Sequence, residues 1–153
     1  MTNLYRRFDA TFRSHADKVL IDSGGRLVTG RQLDDAAARY AAVLREAGLK
    51  PGDRLAVQVE KSLENVFVYL GCLRLGAIYM PLNTAYQPAE ISYFLGDATP
   101  RVLVCAPEKR AVLEPVASAA GVATLLTLGV AGDGDLVERA AKAQPFADVC
   151  DCE

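Results

Sequence analysis

The sequence predicts an α/β domain, a mainly parallel sheet flanked by helices, with a small β-hairpin near the N-terminus. Three observations carry this. From residue 54 onward, short β-rich apolar runs alternate with amphipathic stretches of helical length, the pattern of strands joined by crossover helices. Before them, Val19-Leu20-Ile21 and Arg26-Leu27-Val28 bracket Asp22-Ser23-Gly24-Gly25, two strand-like runs around a glycine turn. Finally, 51% hydrophobic and 24% charged residues in a chain of 153 suffice for one buried core.

The elements follow in order. Leu4, Tyr5, Phe8 and Phe12 recur at spacings of three and four, which places them on one face of a short helix ending before Lys18. After the hairpin, Thr29 with Gln32 three residues on forms a capping-box pattern, and the helix it opens runs to about Ala47 with Leu33, Ala37, Tyr40 and Leu44 inward. Residues 54–59 read as a buried strand, and Ser62 caps a helix whose inward residues include Leu63, Val66, Phe67 and Leu70. A short strand, Ala77-Ile78-Tyr79-Met80, stops at Pro81, which cannot donate to a ladder. The polar loop Asn83-Thr84-Ala85-Tyr86-Gln87 follows, where an open α/β sheet places a ligand-facing connection. Pro88 opens the next helix, with Ile91, Phe94, Leu95 and Ala98 as its apolar stripe, and Thr99-Pro100 closes it. Strands over 101–105 and 123–128 and helices over 107–119 and 136–143 complete the alternation. Residues 1–144 are expected to be one subdomain and 145–153 an exposed or linking tail.

Charge and composition exclude several classes of function. Seventeen Lys and Arg against nineteen Asp and Glu, net -2, offer no basic field for nucleic acid or an anionic membrane. The longest apolar run, 66–73, is far below the roughly 20 residues of a membrane span. The N-terminus lacks a secretory h-region. The four cysteines follow no metal-ligand or disulfide-framework spacing. Cys72 and Cys105 read as core thiols, Cys150-Asp151-Cys152 as tail, and the compartment expected is the cytoplasm.

Catalytic groups are not found. A phosphate cradle needs glycines at a helix start and a nearby cation, whereas Gly24-Gly25 sits in a hairpin turn and Gly132-Asp133-Gly134 is flanked by acid. His15 is the single histidine, so a His dyad or multi-His metal site is excluded. No serine has nucleophile-elbow context, and Asp133, Asp135, Asp151 and Glu153 read as solvated loop and tail.

Read in order, Gly52-Asp53-Arg54-Leu55-Ala56, Glu60, Leu73-Arg74-Leu75-Gly76-Ala77, Pro81-Leu82-Asn83-Thr84 and Glu90-Ile91-Ser92-Tyr93 resemble the N-terminal subdomain of the adenylate-forming acyl-CoA synthetases, over residues 4–106. Glu60-Lys61-Ser62 with Pro81-Leu82-Asn83-Thr84-Ala85-Tyr86 is most similar to the malonyl-CoA synthetases. The resemblance implies a carboxylate activated by ATP with Mg2+ to an acyl-adenylate, then transferred to the thiol of coenzyme A. It also implies that the phosphate loop and catalytic lysine come later in the polypeptide, so these 153 residues alone are expected to show no ATP–pyrophosphate exchange. By position, Asn83, Thr84 and Ala85 would border the pantetheine tunnel, and Lys109 and Arg110 would lie near the coenzyme A nucleotide phosphate. No catalytic or metal-ligating residue is expected here. The partners implied are the remainder of the polypeptide, coenzyme A and a small carboxylic acid, with self-association of the isolated piece. A ligase for another acid, fatty or aryl, and a non-catalytic α/β interaction module are the alternatives.

Overall fold

The computed structural model describes residues 2–152. Helix α1 (Tyr5–Ser14) leads into the antiparallel hairpin β1 (Val19–Ser23) and β2 (Arg26–Thr29). Helix α2 (Gly30–Glu46) starts on the expected capping box, with Thr29 Oγ1 accepting from Gln32 N and the Gln32 side chain accepting from Thr29 N. Strand β3 (Arg54–Gln58) follows, then α3 (Leu63–Arg74), where Ser62 Oγ accepts from Asn65 N at 3.1 Å. Next come β4 (Ile78–Pro81), α4 (Pro88–Ala98) and β5 (Val102–Cys105). The stretch expected as one helix from 107 begins instead as a 3-10 turn, Pro107–Lys109, before α5 (Arg110–Ala119). Strand β6 (Thr124–Thr127) and α6 (Asp135–Lys142) finish the order.

Strands β3 to β6 form one parallel sheet in the order β4-β3-β5-β6. Successive residues of a strand face opposite sides, so two cores arise. Leu55, Val57, Val102, Val104 and Leu126 pack with α1, α2, α3 and α6, while Ala56, Leu103 and Cys105 pack with α4 and α5. The α2–α3 contact is close because Gly71 lies against Ala41 and Tyr40; a Cβ there would meet Ala41 N at 2.8 Å. At the end of α4, Thr99 takes φ 46°, a left-handed C-cap, and Pro100 prevents any continuation.

Two expectations need correction. Val66 is exposed, because its neighbours Leu63, Phe67 and Leu70 already fill the buried face of α3. Leu4 precedes the helix and points to solvent. The segment 145–152 has no helix or strand, and it is held to the body through Arg74. The Arg74 guanidinium donates to the carbonyls of Phe146, Ala147 and Asp148 at 2.9, 2.8 and 3.1 Å. Cys150 N donates to Arg74 O at 2.9 Å. Arg74 also donates to Asp34 Oδ1 (2.7 Å) and the Tyr5 hydroxyl (2.9 Å), so a buried cation is saturated with acceptors.

Candidate functional site

In the sheet order, the crossover from β3 goes one way to β4, and those from β4 and β5 go the other way. Flanking helices therefore lie on opposite faces, and the carboxyl ends of β3 and β5 part at a topological switch point, where open α/β sheets bind ligands. Gln58 ends β3 there, in register with Cys105 at the end of β5. The loop after β4 and the turn after β5 meet above it. They enclose a groove of about 200 Å³ lined by Gln58, Thr84, Tyr86, Lys109, Val112 and Leu113, among others.

Local chemistry shapes the loop. Asn83 Oδ1 accepts from Ala85 N at 2.9 Å, an Asx turn, and Tyr86 N donates to Asn83 O at 3.0 Å. Gln87 N is capped by Glu90 Oε2 at 2.7 Å, which ties the loop to the start of α4. The Tyr86 ring stacks on Phe94 with centroids 5.0 Å apart. From below, Gln58 Nε2 donates to Asn83 O at 2.8 Å and to Tyr86 O at 3.1 Å. Two facing carbonyls require the nitrogen on that side, so Oε1 points the other way. Gln58 is 1% exposed and Oε1 has no hydrogen-bond partner; among the described residues it is the buried side-chain polar atom left in that state.

The sequence-nominated residues divide. Lys109 joins the loop, since its Nζ donates to Thr84 O at 2.8 Å and leaves two further N–H groups to spare. Of Asn83, Thr84 and Ala85, only Thr84 lines the groove; Asn83 O accepts from Gln58, and Asn83 Oδ1 and Ala85 N close the turn behind it. Arg110 faces elsewhere: it pairs with Asp135 Oδ2 at 2.8 Å and Glu114 at 3.6 Å. That pairing corrects the reading of Asp135 as a solvated residue. Its Oδ1 accepts from Thr127 N (2.7 Å) and Thr127 Oγ1 (3.1 Å). Partial burial pushes its carboxyl up, but the Thr127 bonds and the Arg110 guanidinium outweigh burial and hold it below the usual carboxylate range. Asp151 is solvent-facing as expected, and pairs with Arg6 at 2.9 Å; Glu153 lies outside the described residues.

Gln58 was not nominated from the sequence, although a signal existed: a polar residue interrupts the apolar run Leu55-Ala56-Val57-Gln58-Val59 at a strand's carboxyl end. Larger hollows of about 380 and 350 Å³ lie against Phe146 and beside Tyr79, but neither holds an unpartnered buried polar atom. Cys105, behind the groove, is a core thiol whose burial pushes it up to about 11; Cys72 is pushed up to about 12 for the same reason. The described residues include no group of three His, Cys, Asp or Glu side chains placed to hold a metal, and no helix long and apolar enough to cross a membrane.

The family model described as AMP-binding enzyme matches residues 8–149. This chain belongs to the AMP-binding enzyme family. Within solved structures it is similar to MatB from Rhodopseudomonas palustris, 38% identical over 100% of this chain and 30% of MatB, with TM-scores of 0.93 to the apo form and 0.91 to the ATP-bound form. Among curated relatives it is 32% identical over 136 residues to oxalate–CoA ligase of Arabidopsis thaliana, covering 86% of this chain and 26% of that protein. It is 38% identical over 78 residues to a 3-hydroxybenzoate–CoA/4-hydroxybenzoate–CoA ligase of Thauera aromatica, covering 51% of this chain and 15% of that protein. The chain thus spans under a third of the length of each of these AMP-binding relatives.

Proposed function

We propose that this chain is the N-terminal portion of an AMP-forming acid–CoA ligase, and that its acid is malonate. The observation that carries the reading is the groove at the switch point, where a loop of small residues and a lysine with spare protons meet at the carboxyl ends of β3 and β5. Thr84 lines the groove, and Asn83 and Ala85 shape the turn that presents it, a loop suited to a pantetheine chain. Lys109 stands at the rim, where a cation suits a phosphate. Arg110 is the weaker contributor, since Asp135 and Glu114 already offset its charge. Malonate is supported by the resemblance carried by Glu60-Lys61-Ser62 and Pro81-Leu82-Asn83-Thr84-Ala85-Tyr86, together with the likeness to MatB along the whole chain. By the resemblance, ATP and Mg2+ are held by parts of the full-length protein that follow these residues.

The test is acid-dependent ATP–pyrophosphate exchange and thioester formation by the full-length protein, with malonate, methylmalonate and acetate compared. Malonate should be used best, and no exchange with any acid would overturn the reading. Lys109→Ala should raise the KM for coenzyme A several-fold, and more than Arg110→Ala does. A second reading, a ligase for another acid, is favoured by the oxalate and hydroxybenzoate ligases among the relatives. Exchange with an aryl acid or oxalate but not malonate would decide for it.

A further inference from the structure

The loop over residues 83–86 is not held by its own bonds alone. Ala85 N donates to Asn83 Oδ1 and Tyr86 N to Asn83 O, and neither bond ties the loop to the sheet. Three of its carbonyls are fixed from outside. Gln58 Nε2 donates to Asn83 O at 2.8 Å and to Tyr86 O at 3.1 Å, and Lys109 Nζ donates to Thr84 O at 2.8 Å. Of these two clamps Gln58 is the one sealed from water, at the last residue of β3. Its Oε1 makes no hydrogen bond, so what the amide contributes is its NH2 alone. An apolar side chain there would avoid the cost of a buried unmatched acceptor, and folded proteins retain few of them. Departures of this kind from economical packing concentrate at functional sites. Without the NH2, Tyr86 O loses the donor it has here, and Asn83 O keeps only the bond from Tyr86 N. Both carbonyls would then turn toward water, and Thr84 and Tyr86, which line the groove, would move with them.

We infer that Gln58 is a positioning residue for the thiol-transfer half of the reaction: its NH2 sets the loop that receives coenzyme A, while the carboxylate-activating half proceeds without it. The inference rests on the coenzyme A reading above. The chemistry required of the side chain is specific. It must donate toward two carbonyls at once, which an amide can do and a carboxylate or a thioether cannot. A protonated carboxyl in the same place donates once, and burial against carbonyl oxygens raises the pH at which it gives up that proton.

The experiment uses the full-length protein with Gln58→Met, Gln58→Glu and Lys109→Ala, and the acid it uses best. ATP–pyrophosphate exchange and thioester formation are followed separately. Gln58→Met should raise the KM for coenzyme A about ten-fold and leave the exchange rate within about two-fold. Gln58→Glu should show a defect that grows as pH rises, measured against the unaltered protein at each pH, because its carboxyl donates only while protonated. An equal fall in exchange and in thioester formation, or an unchanged KM for coenzyme A, means that Gln58 only supports the fold, and overturns the inference. Should Gln58→Met not fold, Gln58→Glu decides: a KM for coenzyme A that keeps a constant ratio to the unaltered protein's across pH overturns the inference, and a ratio that rises with pH supports it. Failure of the coenzyme A reading looks different, with no thioester formed from coenzyme A by the unaltered protein, or with a KM that Lys109→Ala leaves unmoved as well.

Discussion

Arg74 and Gln58 are both buried polar side chains on the sheet-and-helix scaffold, each bound to backbone carbonyls of a distant segment, yet they end in opposite states. Arg74 donates to Asp34, Tyr5 and three carbonyls of the 146–148 segment, so that each of its three nitrogens has an acceptor. Gln58 spends its donors on Asn83 and Tyr86 and keeps an acceptor unmatched. A saturated cluster is cement. An unsaturated one, at the switch point of a parallel sheet, supports a candidate recognition loop.

Substitution can break or sharpen that contrast. The largest effect should come from Arg74→Met, which leaves Asp34, Tyr5 and three carbonyls without their donor and should cost about 3–5 kcal/mol in urea unfolding. Arg74→Lys should recover only part of this, because one ammonium cannot span both sides of the cluster. Next is Asp135→Asn, which removes the charge-assisted bond to Arg110 and should cost about 1–2 kcal/mol near neutral pH. The pH dependence has a definite sign. The folded carboxyl titrates below its unfolded value of about 3.9, so its contribution is present above that pH and is lost as pH falls through the folded value. Melting temperatures of the unaltered protein and Asp135→Asn should therefore differ by their full amount above about pH 3.9 and converge as pH falls from there through the folded value. Lys109→Met should be the mildest, at about 0.5–1.5 kcal/mol, with the effect confined to faster amide exchange in residues 83–86. If Arg74→Met were as mild as Lys109→Met, the distinction between cement and recognition element would collapse.

Local chemistry was legible in the sequence because it acts within a few residues. The capping box at Thr29, the Ser62 cap, the glycine hairpin and the stop at Thr99-Pro100 all formed as read. The alternation of strand and helix also yielded the parallel sheet. Partners far along the chain left no such trace. Nothing in the sequence around Arg74 points to its acceptors, which lie 40 to 74 positions away. Asp135 looked like loop acid, but Thr127 and Arg110 come from the neighbouring strand and helix. The polar loop after β4 lies where the sequence put it, but the bonds that Gln58 and Lys109 make to its carbonyls were not legible. A periodic pattern assigns a polar residue to a face without saying which of its atoms will go unmatched.

The Arg74 cluster also has a consequence for the nascent chain. Its guanidinium leaves the ribosome some seventy residues before the carbonyls of 146–148 exist, while its other partners, Tyr5 and Asp34, are already present. Until those carbonyls arrive, the cation must keep water in their place, so the end of α3 stays unsealed while the sheet behind it assembles. The 146–148 segment therefore closes this cluster, and a polypeptide halted before residue 146 would leave Arg74 without three of its acceptors.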